Sequence, residues 1–306
     1  MLAPTIIESP RRESTSVPRR RVRRRMSIPV LVLIAPFIAV FVIFRLIPTL
    51  WGLGLSFFEY RISGQLDWLG LDNFERLFAS STFWTSLGVT FVYTAIAVPA
   101  TVAVSLLMAA LCNRSLRGIR VYRALYFLPV LTSFVTAGLI WRWVYSTEGP
   151  VNAIVVSLGM SPIPFLSSEA LVLPSLSAVA VWTRFGYDML ILLAAIMAIP
   201  QETLEAAQID GAGSVRTFMS IVLPQLKPAI FFVVVLELIQ SFQVFDLIYV
   251  MTGGGPVLAS YTLTYFIYDV AFRNFDFGYA SAIGVVLFAI TLVVTMIQRR
   301  IFKDES

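Results

Sequence analysis

The chain of 306 residues is 58% hydrophobic and only 13% charged, with a mean hydropathy of +0.82. That is more apolar surface than a soluble core could cover, which excludes an ordinary globular protein. A formal charge of +5, no histidine and one cysteine further exclude His-based acid–base catalysis, His-ligated or Cys-rich metal sites and an internal disulfide.

Residues 1–26 are rich in Arg, Ser and Pro, with Arg11, Arg12, Arg19, Arg20, Arg21, Arg23, Arg24 and Arg25 ahead of the first apolar block. The composition predicts a disordered tail with a secondary attraction to anionic lipid. It lacks the aromatic interleaving that base stacking requires, so membrane topology accounts for the charge and no nucleic-acid partner is expected. The apolar run after Arg25 is too long for a cleaved signal peptide and no clear small-residue cleavage site follows it, although the Arg and Ser content also suits an organellar transit peptide.

Six apolar blocks follow, near 28 to 57, 84 to 111, 121 to 145, 170 to 199, 227 to 251 and 279 to 298. Each reaches the roughly 20 helical residues needed to cross a hydrocarbon core of about 30 Å. Lipid offers backbone groups no partner, so each block is predicted to be helical. A β-barrel would alternate, whereas Val285-Val286-Leu287-Phe288-Ala289-Ile290 is a continuous run. Besides the tail, basic residues gather at Arg114, Arg117, Arg120 and Arg123, at Arg216 and Lys227, and at Arg299, Arg300 and Lys303. The opposite loops, 58 to 83, 146 to 169 and 252 to 278, hold only Arg61, Arg76 and Arg273. Lys and Arg collect on the cytoplasmic side, which predicts both termini inside. The expected fold is therefore an all-α integral membrane protein, with six transmembrane helices over 27–302 and short tails at 1–26 and 303–306. Cys112, at a helix end, reads as a small packing residue.

Between blocks four and five lies a small-residue island, Glu205-Ala206-Ala207-Gln208-Ile209-Asp210-Gly211-Ala212-Gly213, followed by Ile221-Val222-Leu223-Pro224. Pro200 can open a short surface helix, with Glu202 and Glu205 in its early turns where acidic groups suit the helix dipole. Gly211 and Gly213 supply the turn that ends it. Ser214 is then expected to cap a second short helix, over about 215 to 222, which Pro224 stops. Ala206 and Ala207 leave little bulk and Gly211 allows a tight bend, together forming a knob that can enter a partner's cleft. The plain alternative is an amphipathic helix pair riding on headgroups.

There is no Gly-x-x-x-x-Gly-Lys-Ser/Thr phosphate loop, so ATP, if it drives the protein, is bound by another chain. Asp188, Glu237 and Asp246 show no motif spacing, and no catalytic residue or metal site is assigned. Blocks four and five nonetheless carry polar groups that are costly in hydrocarbon. These are Trp182, Thr183, Arg184, Tyr187 and Asp188 in the first, and Glu237, Gln240, Ser241, Gln243 and Asp246 in the second, with Phe242 and Phe245 among them. Helical spacing puts Glu237, Gln240, Ser241 and Val244 on one stripe. Arg184 has two candidate partners, Asp188 one turn away and Glu237.

Glu-Ala-Ala, three residues, Gly, nine residues, then Ile-x-Leu-Pro resembles the coupling loop of bacterial ABC importer permeases, on which the ATPase subunit docks. Gly70-Leu71-Asp72-Asn73-Phe74, the stretch from Trp182 to Pro200, and Met251-Thr252-Gly253-Gly254-Gly255-Pro256 extend the likeness to the carbohydrate-uptake branch, the maltose and glycerol-3-phosphate type. This resemblance covers nearly everything after Arg25 and implies a type I importer permease in the bacterial inner membrane. It implies that Glu205, Ala206, Ala207, Asp210, Gly211, Gly213, Leu223 and Pro224, within a loop at 200–224, couple to the ATPase. Partners would be a second homologous permease, two ATPases that hold ATP and Mg, and an extracytoplasmic solute-binding protein approached by Gly253, Gly254, Gly255 and Pro256. For this last stretch the plain alternative is a flexible loop. The spans flanking the coupling loop would line the sugar cavity. The expected substrate is a di- or oligosaccharide moved by alternating access, with glycerol-3-phosphate or a glycerophosphodiester kept open by Arg184. An ion-coupled secondary transporter, the alternative of another class, would show internal repeats and broken helices; no clear repeat is found.

Overall fold

The computed structural model describes residues 28–60, 64–113 and 117–303, so the Arg-rich tail, Arg61 and Arg114 lie outside the described residues. The described residues form two compact units, divided between Leu50 and Trp51. The first holds α1 (Ile28–Phe41), a π-turn at Val42–Leu46 and the first residues of α2 (Ile47–Leu55), whose remainder belongs to the second. Pro48 supplies no backbone N–H here, and the neighbouring Thr49 hydroxyl donates to the Arg45 carbonyl at 2.7 Å. The stretch Val32–Leu55 is long and apolar enough to cross a membrane.

The second unit continues with a small ribbon in which β1 (Phe58–Tyr60) pairs antiparallel with β2 (Leu66–Trp68), so the expected all-α fold carries one two-stranded exception. The next helix, α3 (Asp72–Ala79), is pinned to it by Asn73, which is 3% exposed and donates to the Ser56 and Phe58 carbonyls, each at 3.0 Å. The unit is built around α4 (Ser81–Cys112), of 32 residues. After it come α5 (Ile119–Phe127) and a 3₁₀ turn at Leu128–Leu131, then α6 (Phe134–Val144). Block three was expected to be one straight span, but these two helices meet at 96°. Pro129 removes a ladder donor, and Ser133 starts the new helix by accepting from the Thr136 N–H at 3.2 Å.

A short α7 (Pro150–Ser157) precedes α8 (Glu169–Met197), of 29 residues. The segment between blocks four and five contains α9 (Gln201–Ile209), α10 (Ser214–Thr217), a π-turn at Phe218–Val222 and α11 (Leu223–Gln225). It bends by 68° into α12 (Lys227–Phe242). Block five was also expected to be continuous, yet it breaks at Gln243–Phe245 before α13 (Asp246–Met251). The cause lies elsewhere in the chain. The Thr264 hydroxyl donates to the Phe242 carbonyl at 3.0 Å and Thr262 to the Val244 carbonyl at 3.2 Å, satisfying groups that a continuous helix would have paired. The chain closes with α14 (Leu263–Tyr268), a π-turn at Asp269–Arg273 and α15 (Phe277–Lys303).

Two apolar clusters mark opposite ends of this unit. One joins Phe83, Tyr93, Val172, Leu176, Leu247, Leu263 and Ile283; the other joins Ala109, Cys112, Leu192, Ile196, Val222 and Val233. Hence α4 and α8 run in parallel from the first cluster to the second, while α12 returns. Gln298, near the end of α15, donates to the Phe231 carbonyl at 3.4 Å, so α15 also runs toward the second cluster. Close crossing of α8 by the α5 end depends on Gly186, where a Cβ would sit 2.2 Å from the Tyr126 carbonyl oxygen. Four described helices are long and apolar enough to span a membrane, or up to six if each bent pair counts once.

Candidate functional site

A cleft opens where α4, α6 and α8 face the break between α12 and α13. It encloses about 480 Å³ including its mouth, and its polar lining is Tyr93, Thr101, Arg184, Glu237, Gln240, Ser241, Gln243 and Asp246. A neighbouring recess of about 680 Å³ shares Phe134, Arg184 and Gln240 and adds Thr132, Thr183 and Tyr187. The stripe expected from helical spacing is present for Glu237, Gln240 and Ser241. Val244 lies beyond the helix end, and the break turns Gln243 and Asp246 out to the exposed side.

Arg184 settles the pairing that its sequence left open. Its Nε donates to Glu237 Oε1 at 2.6 Å and its Nη2 lies 2.6 Å from the same oxygen, with the side chains 17% and 3% exposed. Asp188 is fully buried; no donor reaches its carboxylate oxygens, which face the Glu237 carboxyl. Trp182 meets the Trp141 ring edge-on at 5.6 Å, and Phe242 packs against Phe91 at 5.3 Å. These three residues, grouped with the pathway on sequence grounds, do not line either recess. Sequence reasoning missed Tyr93, Ala97 and Thr101, which reach the cleft from α4. Their spacing of four residues was the available signal, hidden inside a uniformly apolar helix.

The segment between α8 and α12 is shaped by small residues. Glu205 is exposed and accepts from Gln201 Nε2 at 2.7 Å. Ala206 is exposed beside it, whereas Ala207 is 5% exposed and its carbonyl accepts the Ala212 N–H at 2.9 Å. Gly211 takes φ +77°, the left-handed conformation that closes α9, and nothing lies within 4 Å of a Cβ built there. Asp210 and Gly213 are exposed on either side. Two details differ from expectation. Ser214 is the first residue of α10, with Gly213 at the cap and no side-chain cap bond. Nor does Pro224 stop the helix: it sits in the first turn of α11 just after the π-turn, beside a half-buried Leu223, and the bend comes at Leu226 before Pro228. The segment leaves Ile209, Val215 and Met219 exposed at 86%, 75% and 56%, an apolar rim around the alanines.

The glycine-rich stretch after α13 is packed rather than flexible. Gly254 takes φ +85°, and a Cβ there would lie 2.6 Å from the Tyr261 ring. Gly253 N–H donates to the Ile248 carbonyl at 2.8 Å, the Thr252 and Ser260 hydroxyls meet at 2.8 Å, and Ser260 donates to the Gly255 carbonyl at 2.6 Å. Pro256 is half-buried. Tyr261 donates to Asp269 Oδ2 at 2.8 Å; burial first, and this acceptor second, push its pKa above the usual tyrosine range. Among the described residues no group of three or more His, Cys, Asp or Glu is placed to hold a metal ion.

Residues 76–304 match the family described as binding-protein-dependent transport system inner membrane component. The chain belongs to that family. It is a multi-pass protein of the bacterial inner membrane. Among relatives of this permease is the probable ABC transporter permease protein YesP of Bacillus subtilis, 36% identical over 89% of this chain and 89% of that one. Another is the sn-glycerol-3-phosphate transport system permease protein UgpA of Yersinia pestis, 34% identical over 89% of this chain and 93% of that one. The permease shares its fold with a chain of a bacterial alginate ABC transporter, crystallised with an alginate pentasaccharide-bound periplasmic protein. That likeness has a TM-score of 0.78 and 25% identity, covering 90% of this chain and 95% of that one.

Proposed function

We propose that this chain is one of two permease subunits in an ATP-driven, binding-protein-dependent importer, and that it passes a di- or oligosaccharide by alternating access. The permease domain is 27–302, with six spans and both termini cytoplasmic. The fourth span is followed by the coupling loop at 200–224. Three of the spans are α4, α8 and α15, and two more are bent or broken: α5 with α6, and α12 with α13. The basic residues Arg117, Arg120, Arg123, Arg216, Arg299 and Arg300 all fall toward the second cluster, which supports that end as the cytoplasmic one. There the exposed Ala206, Gly211 and apolar rim present a knob to a partner ATPase, which binds the ATP and Mg that this chain has no loop to hold. The Gly253–Pro256 stretch is at the other end, toward the binding protein. Two broken spans mean that helix breaks do not separate this protein from a secondary transporter; membership of the permease family argues for the importer.

The observation that carries the substrate reading is the Arg184–Glu237 pair. A phosphate ester needs a free guanidinium or ammonium, but the one arginine in the cleft is already neutralised, and Asp246 adds an exposed carboxylate. What remains are amides, hydroxyls and the rings of Phe245 and Tyr187, groups suited to the hydroxyls and apolar faces of an uncharged sugar. The kinship with UgpA favours the phosphate reading, and the charge of this cleft argues against it.

The test is uptake into proteoliposomes holding the complete importer, energised with internal ATP and supplied with its binding protein. A labelled neutral oligosaccharide should accumulate and glycerol-3-phosphate should not; the reverse pattern would overturn the substrate assignment, and uptake without ATP would overturn the importer.

A further inference from the structure

Arg184 stands between two buried acids and is bound to only one. Asp188 is on the same helix, one turn further along and fully buried; no donor group reaches its oxygens, and it faces the same Glu237 carboxyl that holds Arg184. The hydroxyls on this part of α4 and α8 are already committed to backbone: Thr101 donates to Ala97, Ser105 to Thr101 and Phe185, and Thr183 to Val179 and Ala180. Two neighbouring buried carboxyls share one cation here, and the one that does not hold it is disfavoured as an anion. The cation within reach is Arg184, at a separation of four residues that puts the two side chains on one helical face.

We propose that Arg184 is an exchange residue. In the state seen here it ties α8 to α12 through Glu237; in the other access state it turns back onto Asp188, leaving the bridge within α8 alone. This inference rests on reading the chain as an alternating-access permease, and it gives that alternation a switch. The bridge joins the two helices that flank the coupling loop. Because α12 leaves that loop through a 68° bend, a displacement of the loop is carried along α12 to Glu237. Arg184 also lines both recesses, so its withdrawal changes the charge and the room they offer together. Two discrete pairings of one cation provide the bistability that a small displacement needs in order to be amplified. Arg184 and Asp188 act here as positioning residues: Asp188 touches neither recess.

The experiment uses the complete importer in proteoliposomes, with Cys112→Ala and a reporter Thr132→Cys in the second recess, labelled by a membrane-impermeant thiol reagent with and without trapped nucleotide. Asp188→Asn should lower uptake about tenfold or more. It should leave thermal unfolding unchanged or raised, because it relieves the repulsion between two neighbouring buried acids in the resting state, and it should hold the reporter in its resting pattern. Glu237→Gln should move the reporter toward the nucleotide-trapped pattern without nucleotide. Wild-type uptake by Asp188→Asn would mean a neutral carboxyl that plays no part in the cycle, and a lowered melting temperature would mean that Asp188 already has a partner at rest; either overturns the exchange. A reporter that responds to nucleotide in the parent but not to Glu237→Gln also refutes the exchange and leaves the permease reading standing. A parent reporter that never responds sinks alternating access itself, and the exchange with it.

Discussion

Two glycine segments at opposite ends of the second unit use the same residue for opposite purposes. At Gly254 the missing Cβ is occupied by Tyr261 and Tyr265, at 2.6 and 3.1 Å from where it would stand. At Gly211 the same left-handed backbone is surrounded by nothing within 4 Å. The first glycine serves the interior of this chain. The second shapes a surface that this chain does not fill, and the exposed Ile209, Val215 and Met219 around it are suited to a partner. Sequence alone makes the two look alike, since each is a cluster of small residues following an apolar run.

The contrast can be broken by substitution. The largest effect is expected from Gly254→Ala, which meets a buried ring and a disfavoured φ together; a loss of roughly 3 kcal/mol should appear as a fall in melting temperature of the purified chain. Normal melting would show that the segment yields, and the contrast would fail. Next, Ala206→Arg should leave melting within about 0.5 kcal/mol of the parent, because the site is exposed. Uptake by the assembled importer should nonetheless fall roughly thirtyfold, as for loss of a central interface residue. Gly211→Ala should cost about 1 to 2 kcal/mol of backbone strain without any clash, and lower uptake less than Ala206→Arg does. A comparison of melting with uptake across these three separates packing from docking. Thr264→Val, which removes the hydroxyl on the Phe242 carbonyl, should cost about 1 kcal/mol in melting and weaken the cleft. The smallest change is expected from Gln240→Ala, with normal assembly and a rise of a few-fold in the uptake KM, since one hydrogen bond is lost.

Much of this architecture could be read directly from residues. The bounds of α4, α8 and α15 follow from continuous apolar runs, because the bilayer imposes a length that composition reveals. Pro129 announced the break in block three, yet the run around it looked long enough for a straight span. The break at Gln243–Phe245 had no such signal, since no Gly or Pro lies between Pro228 and Gly253. It depends on Thr262 and Thr264, which are distant in sequence and ordinary in type. The cleft was legible on α12, where polar residues stand out against Val, Leu and Ile. It was illegible on α4, where Tyr93 and Thr101 differ little from their surroundings. Asp188 was legible as unusual, but only packing shows that it faces neither recess and that Arg184 has chosen Glu237. Asn73 likewise looked like part of a family signature, and its place reveals a clamp on the ribbon.

The two threonine hydroxyls on the Phe242 and Val244 carbonyls also bear on biogenesis. Translation delivers the fifth apolar block well before residues 262–264, so its midpoint emerges with backbone groups that nothing yet synthesised will satisfy. The polar face of the cleft is therefore finished late. A nascent chain arrested ahead of Thr262 would hold either a straight, closed helix or an exposed polar defect for membrane quality control to recognise.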